Sequence, residues 1–134
     1  DARALLAEEL EQRSETARGE GRYEEARAIA LRAAWFRVHP KLGEDDPPSV
    51  LDPNEGRHLR FASNVWDAYR EARAANPDGD IDRWLPYPAE SVRGLLRFLL
   101  DVGEGTIRSA HVGPGEATPE ILEELRGALA DLEE

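Results

Sequence analysis

Apolar residues recur every three or four positions along most of the chain, which is the spacing of one face of an α-helix. The pattern predicts five long helices, over 2–18, 23–38, 53–75, 89–102 and about 119–132. A sixth helix of one turn is predicted over 81–85, with Asp80 as its cap. Residues 106–112 carry a strand-like pattern, but a lone strand cannot form a sheet within one chain. The sequence therefore predicts a mainly α fold: a single-domain bundle of about five helices plus one short helix, with 106–112 as a candidate short strand.

Residues at the predicted helix boundaries match the preferences of helix ends. Gly21 follows the first helix and the glycines of 103–105 follow the fifth, as glycine commonly does. Asp52 and Glu55 have the spacing of a capping box before the third helix. Thr118 is placed to cap the last helix, which has a proline at its first position. These local signals fix the order of the helices along the chain.

The second predicted helix is apolar on more than one side. Ala26 and Ala33 lie on one stripe, whereas Leu31 and Trp35 extend the apolar surface onto another side. A face of that width indicates contacts with more than one neighbour.

The chain is expected to form one domain with three parts. A helical hairpin covers 2–39, a loop rich in proline and acidic residues covers 40–51, and a helical core covers 52–134. We find no shift in composition that marks a second domain.

A glycine turn, an aromatic residue two positions later, and small residues seven positions apart occur in order at Gly21, Tyr23, Ala26 and Ala33. With these residues, 5–40 resembles a helical hairpin of the tetratricopeptide-repeat family. In that family small residues let paired helices pack closely, and stacked repeats form a concave peptide-binding groove. This chain has no second copy of the motif at the family's repeat length. The resemblance implies one helical hairpin suited to protein contacts.

The chain is strongly acidic, because 28 acidic and 17 basic residues give a formal net charge of -11. This charge opposes binding to nucleic acid and to anionic membrane surfaces. Arginines alternate with glutamates along the predicted helices, so no basic stripe emerges. We therefore expect a protein partner, and neither nucleic acid nor a membrane.

Cysteine is absent, and 16 of the 17 basic residues are arginine. Without cysteine the chain forms no disulfide, thiolate metal site or cysteine nucleophile. The excess of arginine over lysine is typical of a GC-rich genome, and we expect a bacterial protein in the cytoplasm. The chain begins at Asp1, so we expect its start to have been processed or trimmed.

Histidine and acidic residues do not form a metal-binding motif. His39, His58 and His111 are far apart, and no pair has the spacing of metal ligands on a helix. Asp78 and the aspartates that follow it resemble the start of a calcium loop, but the glycine and glutamate of that loop are missing in either register. We expect no metal site.

Catalytic and cofactor motifs are also missing. The glycine-rich segments 103–106 and 113–115 are not placed between a strand and a helix, and they lack the lysine of a phosphate-binding loop. No serine lies in a Gly-x-Ser-x-Gly elbow. The sequence predicts no catalytic residues, no cofactor-binding residues and no cofactor.

Aromatic residues supply the candidate contact surface. We expect Trp35 and His39 on the second helix, and Arg83, Trp84 and Tyr87 in the proline-rich turn, to be candidate interaction residues. Arg83 and Trp84 are suited to form an exposed stacking pair. The favoured interpretation is a soluble, non-enzymatic protein-interaction or adaptor domain.

Other interpretations stay open at this point. One is a small-ligand-binding protein or an enzyme, with a pocket between helices lined by Trp/Tyr and Arg and with His39, His58 or His111 as its base. A DNA-binding helical regulator would need a local basic face. A homodimer is favoured if the leucine stripe from Leu122 to Leu132 is not satisfied within the chain.

Overall fold

The structure, a computed structural model, describes residues 2–39, 47–48, 50–106 and 118–133. Within these ranges the chain forms helices and no strand, which confirms the predicted mainly α bundle. The helices are α1 (Ala2–Gly19), α2 (Tyr23–Val38), α3 (Gly56–Ala75), α4 (Ile81–Trp84), α5 (Ala89–Glu104) and α6 (Pro119–Glu133). The candidate strand over 106–112 lies, except for Thr106, outside the described residues.

Three predicted helix boundaries are confirmed in atomic detail. The Asp80 side chain caps α4 by accepting from the backbone N–H of Asp82 at 3.2 Å. Thr118 Oγ1 accepts from the N–H of Ile121 at 3.2 Å and so caps α6. Gly105 ends α5 in the left-handed region, with φ at 81°.

The predicted start of α3 is wrong by three residues. The helix begins at Gly56, and Glu55 precedes it in an extended conformation without a side-chain cap. The Asp52 carboxylate instead accepts from the N–H of Asn54 at 2.9 Å within a turn. The backbone N–H of Asp52 donates to His58 Nδ1 at 2.8 Å. This side-chain bond from α3 holds the preceding segment as a turn and displaces the expected capping box.

Helices α1 and α2 form an antiparallel hairpin with small residues in the contact. Gly21 makes the turn with φ at 81°, a conformation that favours glycine. The buried positions include Ala7 and Ala17 on α1 and Ala26 on α2. Ser14 Oγ, also buried, donates to the Ala26 carbonyl at 2.6 Å. Small side chains therefore let the helices approach closely enough for a side chain to bond the opposite backbone.

Replacing Ser14 by alanine tests this contact. We expect Ser14→Ala to lower the free energy of unfolding by about 1 kcal/mol, because the buried Ala26 carbonyl loses its side-chain donor. The control is Thr16→Ala, which removes an exposed hydroxyl that bonds its own helix at Gln12. That variant should change stability by less than about 0.5 kcal/mol. Urea unfolding of the two variants would contradict this interpretation if their midpoints shifted equally.

Helix α2 packs on two sides, as its wide apolar surface predicts. It contacts α1 on one side and α3 on the other. Phe36 and Trp35 are both buried, while Leu31 is half-buried and faces a groove described below. Most of the second apolar side therefore packs within the chain.

Helix α5 is the central helix of the second half, because it packs against both α3 and α6. Val92 and Leu96 are fully buried on it. On α6, Leu125, Leu129 and Leu132 are buried within the chain. Leu122, at the start of the stripe, is half-buried, and a homodimer stays a prediction. In the described part of the chain, no helix is long and apolar enough to cross a membrane.

Candidate functional site

The five candidate interaction residues lie in two separate places. Trp35 is 1% exposed and His39 is 2% exposed, so both lie in the interior. Arg83 and Trp84 are exposed in the connection that leads to α5, and Tyr87 is half-buried there. The structure thus places two of these residues in the core, two at the exposed end of α4 and one in the segment that joins α4 to α5.

Trp35 lies at the centre of a buried aromatic cluster. Its ring centroid is 4.9 Å from that of His39 and 5.6 Å from that of His58. Phe61 completes the cluster with an edge contact at 5.3 Å. Edge-to-face and tilted arrangements at such distances are favourable between rings. The cluster joins α2 to α3 and includes two of the three histidines of the chain.

Two arginines lie on either side of His39. Arg57 Nη1 is 3.2 Å from His39 Nε2, and Arg3 Nη2 is 3.5 Å from His39 Nδ1. The guanidinium of Arg3 also lies 4.2 Å above the Phe36 ring. Glu55 contributes a carboxylate 3.6 Å from Arg57 Nε. Polar groups from α1, α2 and α3 therefore meet at one buried imidazole.

This arrangement is better suited to stabilise the packing of the helices than to react with a substrate. His39 is almost fully enclosed, so a substrate cannot reach its ring in this conformation. His58 Nδ1 already accepts from the Asp52 backbone. Among the described residues, no three histidine, aspartate or glutamate side chains converge on a point where a metal ion would fit. Arg3, which is buried, and Arg57, which is half-buried, were missed at the sequence level, because evenly spread arginines give no signal for which of them lie beside His39.

Trp84 is the exposed aromatic residue of the candidate set, with 53% of its surface accessible. Its indole Nε1 lies 3.6 Å from the position of a Cβ built on Gly79, so the ring leans over the preceding turn. Arg27 on α2 donates to the Asp82 carbonyl at 2.6 Å and fastens α4 to the hairpin. Four other arginines place a guanidinium group over an aromatic ring in the described part of the chain. The guanidinium group of Arg83 does not lie over Trp84. The expected stacking pair is not formed.

Tyr87 contacts the core beside this turn. Burial raises the pKa of its phenol above the usual value, and the negative charges of Glu11 and Glu71 raise it further. A tyrosine phenol carries its proton at neutral pH in any case, and these contributions strengthen that preference.

An open apolar groove runs along α5, and sequence reasoning missed it. Its volume is about 580 Å³ and its lining is mainly apolar. The described residues that line it are Leu31, Pro47, Pro48, Leu51, Phe61, Glu90, Ser91, Gly94, Leu95, Arg97, Phe98 and Asp101. We call this surface the α5 groove.

The α5 groove follows the axis of one helix. Its lining residues on α5 recur at every turn from Glu90 to Asp101. Eleven residues of α-helix rise by about 16 Å, which gives the length of the groove. Phe98 and Leu95 form the apolar wall, and charged side chains lie at both ends.

Gly94 is an unusual residue in the wall of the α5 groove. It lies in the middle of α5 and is exposed, and a Cβ built on it would meet no atom within 4 Å. Glycine in a helix interior costs about 1 kcal/mol relative to alanine. Nothing within the described part of the chain requires glycine at this position. An interior glycine in a strongly apolar helix is the sequence signal that could have directed attention to this face.

Alanine substitutions distinguish Gly94, which lies within α5, from Gly105, which ends it. We expect Gly94→Ala to raise the free energy of unfolding by about 1 kcal/mol, because the added Cβ meets open space and favours the helix. Gly105→Ala should lower it by about 1 kcal/mol, because the residue has φ at 81°. Thermal unfolding measures both. A loss of stability in Gly94→Ala would show that this position is packed more tightly than the structure indicates.

A second groove lies between α3 and α6, and its polar groups are paired with each other. Asp131 accepts from Arg73 at 3.0 Å and from the Tyr69 hydroxyl at 3.4 Å. Arg70 and Glu124 approach to 3.5 Å. Burial is the main cause that raises the pKa of Tyr69. These contacts join α3 to α6, so this second groove is the boundary between two packed helices.

Comparison of the chain with protein-family models, with curated proteins and with solved structures finds no match. The resemblance of residues 5–40 to a tetratricopeptide-repeat hairpin accordingly stays a prediction.

Proposed function

We propose that this chain is a non-enzymatic protein-interaction domain that holds a segment of a partner protein in the α5 groove. The observation that carries the proposal is an open, mainly apolar groove along three turns of one helix. Removing apolar surface from water is favourable, and partner proteins commonly bury such grooves under an amphipathic segment.

The shape of the groove favours a partner protein over a small ligand. Pockets for small ligands enclose most of the ligand surface. The α5 groove is instead partly open to solvent. Its described lining contains no histidine, and His39 is buried elsewhere. His58 is buried as well, so an enzyme with either of these histidines as its base has little support from this geometry, and His111 lies outside the described residues.

Two expectations from the sequence are consistent with the proposal. Leu31 lies on the second apolar side of α2, is half-buried and lines the α5 groove. The net charge of -11 favours a basic partner and opposes nucleic acid. A cytoplasmic adaptor of bacterial origin, with a tetratricopeptide-repeat-like hairpin as its first part, is the finer form of the proposal.

Photo-cross-linking in cells that naturally produce the protein tests the proposal. A photoreactive benzoyl-phenylalanine is placed at Ser91 in the groove, at Trp84 in the exposed turn, or at Ala130 on the far helix. We expect a discrete protein adduct from the Ser91 position and not from Ala130. The protein found in the adduct is then purified, and its direct binding to the chain is measured.

Two results would contradict the proposal. The same adducts from Ser91 and Ala130, or none from Ser91, would remove the groove as the interface. Adducts from Trp84 alone would move the interface to the end of α4 and the segment that follows it, where the aromatic candidates Trp84 and Tyr87 lie.

A further inference from the structure

We infer that the partner segment is an amphipathic α-helix of about three turns, with basic residues near both ends and close backbone contact at Gly94. This inference rests on the proposed function, because it names the chemistry of the segment that the α5 groove would hold. Three features of the groove support it: the long wall that α5 provides, the open space at Gly94 and the charges at its ends.

The walls of the α5 groove favour a helix over an extended peptide. Residues on α5 that line the groove lie on a helix whose backbone groups bond within it. An extended peptide would find no sheet edge there to satisfy its own N–H and C=O groups. A helical segment satisfies these groups internally and needs only side-chain contacts. About eleven residues of helix match the length of about 16 Å.

Gly94 allows the bound helix to approach closely. The space where its Cβ would be is empty to 4 Å, and the position is exposed in the groove wall. Glycine is favoured where another backbone approaches, because it presents no side chain. Helices that pack through ordinary side chains lie 8–10 Å apart, and small residues bring them to the short end of that range. What sets Gly94 apart from other exposed helix glycines is its place in the wall of the α5 groove, where the backbone of a bound helix would come close.

The ends of the α5 groove carry negative charge. Glu90 lies at one end and Asp101 at the other, eleven positions later along α5. Positive charge on a partner is therefore favoured near both ends of the groove. A bound helix with Lys or Arg about eleven positions apart would meet both carboxylates. The net charge of the whole chain adds long-range attraction for such a segment.

A displayed library of random peptides, each about 16 residues long, tests the inference. The library is selected on the chain and then depleted on Gly94→Gln, whose longer side chain fills the groove. Gly127→Gln is the matched control, because Gly127 is also exposed, lies within a helix, and has open space at its Cβ, but lines the other groove. Peptides recovered from the selection are synthesised, and their affinity and circular dichroism are measured.

We expect peptides with apolar residues at helical spacing and Lys or Arg near both ends, which become helical on binding. Their affinity should fall about tenfold or more with Gly94→Gln and with Glu90→Lys combined with Asp101→Lys, and should be unchanged with Gly127→Gln.

The failures of the inference and of the proposed function are distinguishable. Peptides that depend on Gly94 but bind as extended or acidic segments would overturn the inference and leave the proposed function standing. If no recovered peptide distinguishes the chain from Gly94→Gln, both are overturned. Light scattering of the chain alone gives a further outcome: a dimer that Gly94→Gln abolishes would make a second copy the occupant and overturn the inference.

Discussion

Replacing Trp35 by alanine is expected to lower the free energy of unfolding by about 3–5 kcal/mol. The side chain is 1% exposed and contacts the rings of His39, His58 and Phe61. Its removal leaves a cavity where α2 meets α3 and separates the aromatic contacts that hold both histidines. Because domains are typically stable by only 5–15 kcal/mol, a change of this size is a large fraction of the total.

Trp84→Ala is the matched control, since it removes the same side chain from an exposed position. That variant should change stability by less than about 1 kcal/mol. Trp35→Phe should cost less than Trp35→Ala, because the indole N–H has no hydrogen-bond partner among the described residues and a phenyl ring keeps much of the contact area. Denaturant unfolding measures all three. Equal losses for Trp35→Ala and Trp84→Ala would contradict the assignment of one tryptophan to the core and the other to the surface.

Gly94→Gln is expected to have opposite effects on stability and on binding. Stability should rise by about 0.5–1 kcal/mol, because glutamine is a better helix former than glycine. Affinity for the protein cross-linked at Ser91 should fall about thirtyfold, since the side chain occupies the α5 groove. A variant that becomes more stable cannot lose its partner through unfolding.

Gly127→Gln controls for the change of residue type. It should raise stability by a similar amount and leave binding unchanged, because it lies on α6 outside the α5 groove. Calorimetric titration with the purified partner measures the affinities. If both glutamine variants bound the partner as tightly as the parent chain, the α5 groove would not be the interface.

Helix boundaries could be predicted where their signals are local. Asp80 and Thr118 bond to backbone groups two or three residues away, so the sequence alone contains both members of each pair. Gly105 needs only its own backbone conformation. The start of α3 could not be predicted in this way, because a side chain from within the helix, His58, bonds the backbone of Asp52. The bond from Asp52 to His58 therefore forms in place of the capping box that the local sequence predicts.

The candidate site was less predictable than the fold. The sequence correctly marked α2 as apolar on two sides, but it could not tell that Trp35 would be enclosed and Trp84 exposed. His39 and Arg3 are 36 positions apart and meet only because α1 packs on α2. The α5 groove likewise depends on the relative placement of Leu31 and α5. Such distances between helices are not encoded in spacing along one helix.

Hydrogen–deuterium exchange tests the central claim most directly. The chain is measured alone and when saturated with the protein cross-linked at Ser91. If the α5 groove is the interface, exchange should slow at 90–101, while the amides of α6 and of the turn around Trp84 keep their rates. Slower exchange confined to α6 or to that turn, with 90–101 unchanged, would contradict the assignment of the α5 groove as the partner-binding surface.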